Sequence, residues 1–226
     1  MLKFFSGDAH YFVIFHKFLA PNQPLNTAKE DILLWESFRK GDREAFATLF
    51  RNHYETLYRF GGKFTTDSQL LEDCIQELFI ELWNATSRTQ VVSVRSYLLK
   101  SLKYKLLRVY RKKRNLIPLR DEEFAFEWSH ESFLIAEQES AEKRQKVRKA
   151  MEMLSHRQKE IIYLKYYQNL SYEEVGEVMN INYQVARNLL YQAMKSMKKW
   201  LADPLGLLFL LSSLSGHYIL HAFSTV

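Results

Sequence analysis

Only one cysteine, Cys74, occurs among the 226 residues. That excludes a disulfide framework and a cysteine-based zinc site, and it fits a reducing cytoplasm. Four prolines and seven glycines are too few for a collagen-like or low-complexity chain, and they argue against a turn-rich all-β sandwich. The chain has no nucleophile elbow, Walker loop, zincin helix or glycine-rich dinucleotide loop. No enzyme activity, cofactor or metal is therefore expected. His217 and His221 have i, i+4 metal spacing, but no third ligand accompanies them. The N-terminus lacks the long apolar core and small-residue cleavage site of a secretory signal.

What is present is a foldable, basic chain. Hydrophobic residues make up 47% and aromatics 15%, and the net charge is +6. This is too apolar for a disordered chain. At roughly 100–200 residues per domain, the length allows one large domain or two small ones.

Five stretches can be distinguished. Residues 1–28 are rich in aromatics, are interrupted by Pro21 and Pro24, and read as an extension packed on the first domain. Residues 29–115 read as helices. Leu33, Leu34, Phe38, Phe46, Leu49 and Phe50 recur at helical spacing around Gly41-Asp42, and a further stretch runs from Tyr54 to Phe64. Leu70, Leu71, Cys74, Ile75, Leu78, Phe79, Leu82 and Trp83 then form one apolar stripe at steps of three and four. Asp73, Gln76, Glu77 and Glu81 occupy its polar side. In the helix that runs on to about Arg114, Leu98, Leu99, Leu102, Leu106 and Val109 face inward.

No acidic residue lies between Glu81 and Asp121, yet that interval holds eleven Lys and Arg. A solvated helix would gain a few tenths of a kcal/mol per Glu–Lys pair placed four apart. This segment forgoes that gain and accepts self-repulsion, which a polyanion lying along it would offset by releasing counterions. Arg95, Lys100, Lys103, Arg108, Arg111 and Lys112 are the candidate contacts. Tyr104, with Tyr97 and Tyr110, is interleaved for stacking on unpaired bases. The alternative is a basic amphipathic helix with core tyrosines, or one lying on a membrane surface.

Residues 116–142 follow Arg114 with eight acids from Asp121 to Glu142 and no Lys or Arg among those acids, the composition of a flexible spacer. Residues 143–201 are helical again. Ser155 with Gln158, and Ser171 with Glu174, make two capping boxes. Asn180 suits a left-handed C-cap and Asn182 an N-cap. A longer helix follows with Val185, Ala186, Leu189, Leu190, Ala193, Met194 and Met197 on its inner side. Short helix, three-residue turn and longer helix have helix-turn-helix spacing, in which the start of the second helix enters the major groove. Tyr183, Gln184, Arg187, Asn188 and Tyr191 would then meet DNA. Gln and Asn can bond adenine and Arg guanine through two atoms each. Lys195, Lys198 and Lys199 would lie near phosphates. The tail 202–226 carries one charged residue, Asp203. Packing on a partner or on the second domain is preferred there to a membrane tether, since its apolar run is marginally short for a span.

Three blocks resemble the extracytoplasmic-function (ECF) sigma factors, promoter-recognition subunits of bacterial RNA polymerase. Leu71 to Trp83 resembles the family's polymerase-binding helix. Val94-Arg95-Ser96-Tyr97-Leu98-Leu99-Lys100, running on to Arg111–Arg114, resembles the helix that opens the minus-ten element. Leu170 to Met179, with the helix after it, resembles the minus-thirty-five reader. The resemblance covers about residues 29–201 except the linker. It implies an all-α protein of two helical domains, 29–115 and 143–201, joined by the linker 116–142. It also implies docking of Asp73, Gln76 and Glu77 on core RNA polymerase, contact with duplex promoter DNA and the melted non-template strand, and an anti-sigma factor as a further partner. The connection Asn84–Ser93 matches the family's loop that captures a flipped base. Asn180 stands where many members have Gly, and Leu189 and Gln192 replace basic residues of the reading helix. The rival readings are a helix-turn-helix activator that binds duplex DNA without polymerase, and a membrane-anchored interaction protein.

Overall fold

Short polar side chains, with Gly41 and Asn180 at positive φ, set where several of the described helices begin and end. In the computed structural model the described residues are 28–85, 91–113 and 148–201. The expected extension before residue 28, the acidic linker and the apolar tail lie outside them, as do residues 86–90 of the base-capture connection. Helix α1 (Ala28–Arg39) ends at Gly41, whose φ of 96° needs no Cβ. Asp42 then caps α2 (Arg43–Gly61), its carboxylate accepting from the backbone N–H groups of Glu44 and Ala45. The sequence suggested a fresh stretch opening at Tyr54. The structure instead runs one helix through it, because Arg51-Asn52-His53 holds no proline or glycine to break it.

Asp67 caps α3 (Ser68–Asn84) by accepting from Leu70 N–H at 2.9 Å. Its expected stripe is inside: Leu71, Cys74, Ile75, Leu78, Phe79 and Leu82 are all buried. Burying each larger apolar side chain contributes about 1.5–3 kcal/mol. Helix α4 (Val94–Lys113) is the central element and packs on α1, α2 and α3. Val94, Leu98, Leu99, Leu102, Leu106 and Leu107 fill that contact. Trp35, Phe38, Phe46, Phe50, Phe79 and Trp83 form a continuous aromatic cluster between the helices, with Phe50 and Phe79 edge to face at 4.9 Å.

After the helical residues 148–152 comes α5 (His156–Ile162), opened by the Ser155/Gln158 capping box and continued by a π-turn, Tyr163–Tyr167. The Ser171/Glu174 box opens α6 (Tyr172–Met179), and Asn180, at φ 52° and ψ 50°, closes it in the left-handed conformation. Asn182 accepts from Val185 N–H at 2.8 Å at the start of α7 (Tyr183–Leu201). Both expected caps of the turn are therefore in place.

The described residues contain no strand. The two halves meet along α4, which packs against α6. The Phe60 and Tyr163 rings, both fully buried, stack across the boundary with centroids 6.1 Å apart.

Candidate nucleic-acid and polymerase interfaces

The polar side of α3 is the first surface. Asp73, Gln76 and Glu77 are all exposed, with Ile80 exposed beside them. Lys105 of α4 reaches across and donates to Glu77 at 3.0 Å and to Glu81 at 2.8 Å. Burial works against the charge on Lys105, but hydrogen bonds and attraction from the two carboxylates outweigh it and raise the pKa. The pairing that α4 forgoes along its own length is thus found partly across the helix boundary.

The candidate strand-binding residues of α4 fall into two groups. Arg108, Arg111 and Lys112 are exposed, Tyr104 is 44% exposed and Lys100 is half-buried. A cleft of about 410 Å³ lies between Glu81, Ser101, Tyr104, Lys105, Arg108 and Arg111. Lys105 is already paired there with Glu81, so Arg108 and Arg111, beside the Tyr104 ring and the Ser101 hydroxyl, are the cations this hollow offers to a phosphate and the base it carries. Arg95 and Lys103 instead face the C-terminal half. Arg95 donates to Gln168 Oε1 at 2.8 Å, and Lys103, 8% exposed, pairs with the buried Glu160 at 2.8 Å. Desolvation lowers the Arg95 pKa, and attraction from Tyr163, Asp31 and Glu174 offsets only part of that.

Two of the three interleaved tyrosines serve the fold. Tyr97 packs edge-on against Trp35 at 5.4 Å, and Tyr110 donates its hydroxyl proton to Thr65 at 2.7 Å. Only Tyr104 presents its ring to solvent among them.

The third surface is the start of α7. Tyr183, Gln184, Arg187, Asn188, Tyr191 and Lys195 are all exposed, Tyr191 at 67%. Lys199 is exposed too. Gln184 donates to Asn188 at 3.3 Å, which aligns the two amides on one face. The Arg187 guanidinium stands 5.7 Å over the Tyr183 ring, and that ring meets Tyr172 edge-on at 5.7 Å. Tyr172, whose pKa burial raises, in turn carries the Lys165 ammonium over its ring at 4.8 Å. These contacts hold the reading side chains away from the core. Val185, placed on the inner side by the sequence pattern, is 45% exposed. Inward positions here are Ala186, Leu190, Ala193 and Met197, at steps of three and four, and Val185 falls one position ahead of that row.

Gly176 is a residue that the sequence reading passed over. A Cβ on it would stand 2.6 Å from the Ile181 carbonyl oxygen, so only glycine lets the turn fold back against α6. The signal was present as an isolated glycine inside a helical pattern.

No curated protein matches the chain. Among solved structures, CnrH in complex with the cytosolic domain of CnrY shares 18% identity and a TM-score of 0.52, over 77% of this chain and 99% of that one. The sigma factor RpoE from Bartonella quintana, solved with the anti-sigma factor NepR, shares 19% identity over 70% of this chain and 98% of that one, with a TM-score of 0.47. The likeness to CnrH shows a common fold. The model for Sigma-70 region 2 matches residues 49–116, and that for Sigma-70, region 4 matches residues 144–197, together more than half of the chain. The chain belongs to the sigma-70 family: it is a promoter-directing sigma factor, with the region 2 and region 4 modules expected of the extracytoplasmic-function type.

Proposed function

We propose that this sigma factor divides promoter recognition among the three surfaces described above. Asp73, Gln76 and Glu77 on α3 dock on a basic surface of core RNA polymerase. On α4, Lys100, Tyr104, Arg108, Arg111 and Lys112, joined by Arg95 and Lys103, hold the backbone and unpaired bases of the minus-ten non-template strand. Tyr183, Gln184, Arg187, Asn188 and Tyr191 on α7 meet base edges of the minus-thirty-five duplex, with Lys195 on a phosphate. The domains carrying these surfaces are 29–115 and 143–201, joined by the acidic linker 116–142.

The observation that carries this reading is the separation of sign along one molecule. An exposed acidic face on α3 lies next to the exposed basic face of α4, and a second exposed polar and basic set opens α7. Bond-making chemistry then belongs to the polymerase, and this subunit needs no catalytic group, cofactor or metal of its own. It acts in the cytoplasm. No helix of the described residues is long and apolar enough to cross a membrane. An anti-sigma factor is the remaining partner. That CnrH is solved with the cytosolic domain of CnrY supports a protein partner for this fold.

Run-off transcription with purified core polymerase and a genomic promoter library tests the reading. Addition of the chain should confer start-site selectivity. Tight promoter binding by the isolated chain without any gain in run-off would replace this reading with a duplex-binding activator.

A further inference from the structure

Tyr172 and Tyr183 are the first residues of α6 and α7, and their rings meet edge-on with centroids 5.7 Å apart. The Tyr183 ring carries the Arg187 guanidinium at 5.7 Å, about one helical turn further on. The Tyr172 ring carries the Lys165 ammonium at 4.8 Å, and that ammonium donates to the Leu170 carbonyl oxygen at 2.7 Å. Lys165 belongs to the π-turn, whose Tyr163, Leu164 and Tyr166 are buried. Four side chains thus form one ladder of alternating cations and rings. Lys165 and Tyr172 are half-buried, Tyr183 is 43% exposed and Arg187 is exposed. The ladder therefore begins against the core of the region 4 half and ends on a reading side chain. Burial raises the Tyr172 pKa and the Arg187 charge pulls it back, so the guanidinium acts on both rings.

We propose that Tyr172 is a positioning residue for base discrimination: it touches no base, and it holds the Tyr183 ring against which Arg187 rests. The inference rests on the assignment of Arg187 to a base edge. A two-atom bond to guanine requires the guanidinium to lie in the plane of the base. An exposed arginine with its full rotamer freedom reaches a phosphate beside any base equally well. A cation over an aromatic ring is held by the ring's negative face, and a ring that is itself held gives that cation a fixed seat. The seat is set before DNA arrives, so less ordering is needed on binding, and the gain goes into selectivity. Gln184 and Asn188 align each other through their own hydrogen bond at 3.3 Å, so the positions they read do not depend on Tyr172.

The test uses holoenzyme and single-base variants of an upstream element selected by run-off transcription, with binding followed by anisotropy. Arg187→Ala identifies the position that Arg187 reads. Tyr172→Leu should lower discrimination at that same position about two- to fivefold and leave the other positions as in wild type. Tyr172→Phe keeps the ring and should discriminate as wild type does. Tyr172→Leu added to Arg187→Ala should lower discrimination no further. Melting temperature and affinity for core polymerase report that the variants are folded. If Tyr172→Leu does not fold, Tyr183→Leu breaks the ladder at a 43% exposed ring and should relax the same position. Full discrimination at that position in the variant lacking the ring overturns the proposal. So does an equal loss on all sequences, or a loss in Tyr172→Phe as large as in Tyr172→Leu, since either makes Tyr172 a phosphate contact through its hydroxyl or a structural residue only. If Arg187→Ala itself relaxes no position, it is the base contact of Arg187 that fails, and the role of Tyr172 falls with it.

Discussion

Lys105 donates to Glu77 across 3.0 Å, tying the helix assigned to the melted strand to the acidic face assigned to polymerase. The Lys105 side chain is only 9% exposed, whereas that of Glu77 is 63% exposed. The lysine also holds Glu81 at 2.8 Å, so loss of Glu77 does not leave it unpaired.

Neutralisation of both acids, as Asp73→Asn with Glu77→Gln, should therefore cost little stability, within about 1 kcal/mol for pairs this exposed on one side. It should weaken association with core polymerase by tenfold or more. A pull-down at matched concentrations, alongside thermal unfolding, reads both quantities. Unaltered retention would remove these two residues from the interface.

Substitution of Gly176 by alanine should destabilise the region 4 half, because its Cβ would meet the Ile181 carbonyl oxygen at 2.6 Å. That oxygen is backbone and cannot swing aside as a side chain can. Forced overpacking of this kind costs about 1–3 kcal/mol. Asn180→Gly, at φ 52°, should be neutral or slightly stabilising. Melting temperatures of the two variants should move in different directions or by very different amounts, and equal shifts would refute the account of the turn.

Ser171 accepts from Glu174 N–H at 3.1 Å, while Glu174 accepts from Ser171 N–H at 2.7 Å. Ser171→Ala removes one arm of this box and should cost about 1 kcal/mol. Denaturant unfolding would show it as a lower midpoint at unchanged slope.

Arg187 and Lys195 are both exposed on α7, yet their variants should behave differently. Arg187→Ala should relax preference at one position of the upstream element, by about 1–3 kcal/mol against the wrong base. Lys195→Ala should weaken all sequences alike and reduce the salt slope of binding by about 0.9. Holoenzyme binding to a set of single-base promoter variants at several salt concentrations separates them. A uniform loss for Arg187→Ala would deny it a base contact.

Local features were readable in advance. The α3 stripe, both capping boxes, the left-handed Asn180 and the cap at Asn182 each depend on residues within four positions of one another. Features that depend on distant parts of the chain were not. Lys105 finds Glu77 at 28 positions away, and Tyr110 finds Thr65 at 45. Composition showed an interval without acids, and three-dimensional packing brought acids to it. Tyr97, Tyr104 and Tyr110 looked equivalent, because sequence spacing says which face a ring shares but not what lies opposite. The π-turn at Tyr163–Tyr167 carries no breaker residue that would announce it. The inward turn of Arg95 and Lys103 belongs to the same class, since it requires the region 4 half to be in place.

The only thiol of the chain, Cys74, sits on the apolar stripe of α3 and is 2% exposed. Oxidants and alkylating reagents act on accessible thiolates. They should therefore leave the native protein nearly untouched and modify it readily once denatured. Any response of this factor to an oxidant must then begin at a group other than this thiol.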